Sequence, residues 1–126
     1  MRVLHMLHSL DADVGAAAST VRKGGKWADL SHKEHFKLCV CSDRCQRPDE
    51  CGTVGESCAN CSIEGEGETI MLWFGRFNDI PARYLSLEHE VRSREFNGLF
   101  DSMRKAYGET FYLDSPVTVV VYQRVA

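Results

Sequence analysis

Apolar and polar positions change period several times along the chain, and each change marks an element. Val3 to His8 has strand character, and Ser9 is placed to cap a short helix over Leu10 to Ala18. Ser19-Thr20-Val21-Arg22 is β-branched and breaks at Gly24-Gly25, which predicts a second strand closing in a tight turn, with Thr20 and Arg22 on one face. Phe36 to Cys41 predicts a third strand. Thr69-Ile70-Met71-Leu72-Trp73-Phe74, the most apolar run to that point, predicts a central one. Pro81 then forces a shaped connection. From Glu95 to Tyr107 the period becomes helical, with Phe96, Leu99, Phe100, Met103 and Tyr107 on one face and Gly108 as the stop. That stripe reads as core packing rather than a ligand box. Val117 to Tyr122, bounded by Pro116, is apolar on both faces and predicts a strand buried inside a closed sheet.

Five or six strands, two or three short helices and non-repeating connections predict an α+β chain, a small mixed β-barrel rather than a doubly wound sheet. With 126 residues there is room for one core, so residues 1–126 form a single domain. The formal charge of -3 argues against a generally basic nucleic-acid coat. It leaves space for a local positive patch, and Arg22, Lys23 and Lys26 supply one beside Trp27.

All six cysteines fall between Cys39 and Cys61, in a stretch rich in Gly, Ser, Asp and Glu that has little apolar surface to order it. Cys41-x3-Cys45 and Cys58-x2-Cys61 have the spacing at which a turn aims two thiolates at one ion, so Cys41, Cys45, Cys58 and Cys61 are candidate ligands of a structural zinc. The alternative is a set of thiols that pack as small hydrophobes: on a strand, Cys39 and Cys41 share one face. His5, His8, Asp11 and Asp13 interrupt any signal-peptide run, and nothing approaches the roughly 20 apolar residues of a membrane span. A cytoplasmic setting is expected, where clustered cysteines more often hold metal than disulfides.

The order of elements resembles the ASCH domains of the PUA-like superfamily, small β-barrels associated with RNA and modified-nucleoside chemistry. The resemblance is carried by Gly15 through Thr20-Val21-Arg22, by Phe74-Gly75-Arg76-Phe77, by Glu88-His89 ahead of the amphipathic helix, and by the last strand. It spans nearly the whole chain outside residues 39–62, which look like an insertion in a strand-to-strand loop. Some members of that family resemble hydrolases of N4-acetylcytidine built on a lysine, a threonine and a carboxylate. The threonine matches Thr20, whereas three residues earlier this chain has Ala17, which can neither activate a hydroxyl nor polarise an acyl group.

The expected function is therefore binding of RNA or a nucleotide in a basic cleft lined by Arg22, Lys23, Lys26 and Arg76, with Trp27 as a stacking surface and no organic cofactor. Two alternatives stand beside it. One is a hydrolase acting on a modified pyrimidine nucleoside or on RNA, with Thr20, Glu88 and His89 as catalytic residues. The other is a protein-interaction module whose contact surface is a zinc-ordered loop. Arg76 and Arg83 have a plainer use as ion-pair partners of Asp79, Glu88 or Glu90.

Overall fold

The computed structural model of the chain describes residues 2–7, 12–41, 61–88 and 91–126. Within these residues five strands form one mixed sheet: β1 (Arg2–Leu7), β2 (Ala17–Lys23), β3 (His35–Cys41), β4 (Cys61–Arg76) and β5 (Pro116–Arg124). Their spatial order is β1-β3-β4-β5-β2. β1 runs parallel to β3, and the other neighbours are antiparallel. Helices among the described residues are few: α1 (Ala82–Leu85), α2 (Phe96–Tyr107) and two 3-10 turns at Phe77–Asp79 and Val91–Arg94.

The expected barrel does not close. Among the described residues no ladder joins the outer strands β1 and β2, so the molecule is an open mixed α+β sheet. The outer edge of β2 is instead met by the segment before α2: the Ser19 amide donates to the Leu87 carbonyl (2.7 Å), and Ser19 forms an isolated parallel bridge with Glu88. Beside β1, the Arg2 guanidinium reaches Asp29 and the Lys26 carbonyl.

β5 explains why two cores form. Its run Val117 to Tyr122 is buried at every position, as its double-sided apolar pattern predicts. Val117, Val119 and Val121 face a core completed by Val21, Phe77, Phe111 and the Leu99 and Met103 side chains of α2. Val120 and Tyr122 face the other, with Leu4, Met6, Ala18, Trp27, Phe36 and Leu38. A 12-residue helix is marginal by itself. Burying Leu99 and Met103, worth about 2 kcal/mol each, fixes α2 on the sheet. Gly108 ends it at φ +84°, a backbone conformation that resists side chains, and its amide closes on the Arg104 carbonyl.

Two other expectations change. Ala17 and Ala18 belong to β2, where they pair with Gln123 and Tyr122, so the predicted helix does not extend to Ala18; Ser9 and Leu10 lie outside the described residues. Pairing with β5 outweighs the helix propensity of three alanines, a weak prior once tertiary contacts compete. β4 begins at Cys61, well before Thr69, and sits between β3 and β5 as a central strand should. Its apolar run is nevertheless partly open, with Ile70, Met71 and Phe74 exposed. Among the described residues no helix is long and apolar enough to cross a membrane.

Candidate functional site

β2 carries the site residues because its period of two puts Thr20 and Arg22 on the same face. In the ladder with β5 they lie opposite Val120 and Thr118, and Arg22 is only 9% exposed. Its Nε–H donates to Thr20 Oγ1 at 3.2 Å. The ion pairs among the described residues lie elsewhere: Arg2 with Asp29, Arg76 with Asp79, and His35 with Glu66 and Glu68. Arg22 is thus a buried guanidinium whose hydrogen bond, among these residues, is to one neutral hydroxyl.

Its positive charge acts on two buried groups, Tyr122 and His5, and the Glu88 carboxylate acts on the first of them. Tyr122 keeps its phenolic proton far above the usual range, first because it is buried and then because of the Glu88 carboxylate; Arg22 and Arg124 partly offset this. Glu88, 2% exposed, is fixed through the bridge to Ser19 and through its carbonyl, which accepts from Arg94 Nε at 3.0 Å. His5 is held below the usual imidazole range by burial, then by the positive charges of Arg22 and Lys26. Thr20 and Arg22 are therefore joined by a hydrogen bond on the buried face of β2, and Tyr122, Glu88 and His5 are the buried polar groups linked to them by charge. A phosphate or carboxylate is the chemistry such a guanidinium is suited to take, since its planar fork binds two anionic oxygens at once.

The remaining expected site residues fall into separate places. Arg76 is exposed and donates to Asp79 Oδ2 (3.1 Å), the plainer use anticipated for it, so it does not join the Thr20–Arg22 region. Trp27 is a core residue, 7% exposed, packed edge-on against Phe36 and covered by the Arg2 guanidinium 4.2 Å above its ring. It offers no open face for a base. Lys23 is exposed, with its ammonium 5.9 Å above the Tyr107 ring and its amide donating to the Tyr107 hydroxyl. His89, Cys45 and Cys58 lie outside the described residues.

Sequence reasoning missed His5. Register places it opposite Cys39 on the parallel β1/β3 pair, and Cys41, two residues further along β3, is on the same face. All three are buried, and their ligand atoms lie within 4.8 Å of one another, a set able to hold a metal ion. Cys41 Sγ is 3.6 Å from His5 Nδ1. The local signal was a histidine inside an otherwise apolar strand, Val3-Leu4-His5-Met6-Leu7. Its partners become visible only through a strand pairing that no local pattern encodes. Of the zinc ligands read from the sequence, Cys41 and Cys61 face each other at the junction of β3 and β4.

No family model matches the chain, and neither the curated proteins nor the solved structures searched contain a significant match. The fold and site together define a mixed α+β domain with a buried arginine, carboxylate and tyrosine at the β2 edge of its sheet.

Proposed function

We propose that the chain is an ASCH-like domain that binds RNA or a nucleotide through an anionic group held at Arg22. The observation that carries this reading is the buried Arg22 guanidinium, bonded to the Thr20 hydroxyl and to no carboxylate among the described residues. Burying a charge costs several kcal/mol unless an anion compensates it, so such a residue is poised for a charged ligand. Lys26, close enough to act on His5, adds a second positive charge nearby, while the overall negative charge limits the footprint to a short segment.

The test is binding of short single-stranded RNA and of free nucleotides across a salt series. Affinity should fall steeply as salt rises, and an Arg22→Ala, Lys26→Ala double variant should lose both affinity and most of that slope. Binding that is flat in salt, or unchanged in the variant, overturns the proposal.

One observation favours a second reading, hydrolysis of a modified pyrimidine nucleoside. Glu88 is a buried carboxylate whose backbone bridges Ser19, the neighbour of the buried Thr20 on β2, and a hydroxyl and a carboxylate are the groups such a reaction would use. Turnover of N4-acetylcytidine that disappears in Thr20→Ala would establish it. Turnover no faster than that of the variant would remove it.

A further inference from the structure

We propose that His5, Cys39 and Cys41 form a zinc site on the β1/β3 pair, with Cys61 supplying the fourth ligand. This differs from a site made within the cysteine-rich loop, because two ligands come from the middle of strands and one of them is an imidazole.

The geometry supports the assignment. In a tetrahedral site with Zn–S of about 2.3 Å and Zn–N of about 2.05 Å, the sulfur-to-nitrogen edge is roughly 3.6 Å and the sulfur-to-sulfur edge roughly 3.8 Å. His5 Nδ1 and Cys41 Sγ already stand 3.6 Å apart, and Cys39 Sγ completes a triangle whose members all lie within 4.8 Å of one another. The register brings a fourth candidate close, although its sulfur lies outside that 4.8 Å group and would turn in to complete the shell. Cys61, the half-buried first residue of β4, lies directly across the antiparallel ladder from Cys41, where side chains share a face with Cβ atoms about 5 Å apart. One imidazole and three thiolates is a regular composition for a closed structural zinc site, and Cys39, Cys41 and Cys61 would release their thiol protons on binding. Such a site would tie β1 to β3, and β3 to the start of β4.

The experiment uses the full-length chain, reduced and loaded with zinc. Metal analysis should give about one zinc per chain, and zinc-edge X-ray absorption should show sulfur together with one imidazole nitrogen. His5→Gln and Cys39→Ser should each weaken zinc binding more than about 100-fold in chelator competition, beyond the loss caused by removing a supporting hydrogen bond. A Cys45→Ser, Cys58→Ser double variant should retain the metal. An all-sulfur shell, zinc lost only from that double variant, or a reduced wild-type chain that takes up no zinc would each overturn the proposal. Should His5→Gln fail to fold, the wild-type absorption spectrum still decides between the two ligand sets.

Discussion

Arg22→Met should make the fold more stable while removing its ligand. The substitution keeps an unbranched apolar stem of similar reach and deletes the charge. Taking a guanidinium out of water costs several kcal/mol, and Arg22 is nine-tenths buried. Against this stands one hydrogen bond from a charged donor to Thr20 Oγ1, worth about 1.5–3 kcal/mol. The balance is a net gain of about 1 kcal/mol on substitution, or a rise in melting temperature of roughly 4 °C for a domain of this size. Binding should move the other way. Loss of a charge-assisted contact to an anion costs about 1.5–3 kcal/mol, roughly 10- to 150-fold in affinity. Thermal unfolding and a titration with the same short RNA, on the same preparation, read both effects. A melting temperature that falls by several degrees with affinity unchanged would refute the reasoning and make Arg22 a structural residue.

Gly67→Ala should destabilise the sheet by about 1–3 kcal/mol, because an added Cβ would lie 2.8 Å from the Phe36 ring and 3.0 Å from the Tyr122 ring; an unchanged denaturant midpoint would show that those rings can move aside. Leu99→Ala should cost about 2–5 kcal/mol by opening the core beneath α2, yet leave RNA affinity unchanged in the fraction that is folded. His35 is held above the usual imidazole range by hydrogen bonds to Glu66 and Glu68. Its contribution to stability should therefore be complete below about pH 6.5 and be lost as pH rises through the raised folded-state value. The melting-temperature difference between wild type and His35→Gln should shrink over that rise, and a constant difference would argue against the linkage.

Much of the sheet is legible in the sequence because its strands carry strong local patterns. β2, β3, β5 and α2 all lie within a residue or two of where periodicity and β-branching place them. The first half of β4 was hidden: Ile63-Glu64-Gly65-Glu66-Gly67-Glu68 reads as a loop by composition. Its place between β3 and β5, with Phe36 opposite Gly67, makes it a strand. Trp27 misled for a related reason. Three neighbouring basic residues suggested an exposed ring, whereas the turn that follows β2 folds back so that the ring enters the core and Arg2 covers it. Thr20 and Arg22 were legible as a pair because alternation alone sets their common face. The approach of Glu88 to β2 depends on the bridge to Ser19, and the meeting of His5 with two cysteines depends on a parallel pairing; neither has a local sequence signal.

The strand order also dictates how the chain must assemble. β2 has β5 as its ladder partner, and the register joins Ala17 to Gln123 and Lys23 to Val117, so the site strand is held by residues about a hundred positions further on. Contacts this distant in sequence require loop closure before they contribute, which places the chain among slow folders. During synthesis, the buried face of β2 has no ladder to join until β5 has emerged from the ribosome. Through that interval the Ala17–Lys23 segment is a strand with both edges unpaired, a point at which a chaperone would engage the nascent chain and at which premature release would favour aggregation.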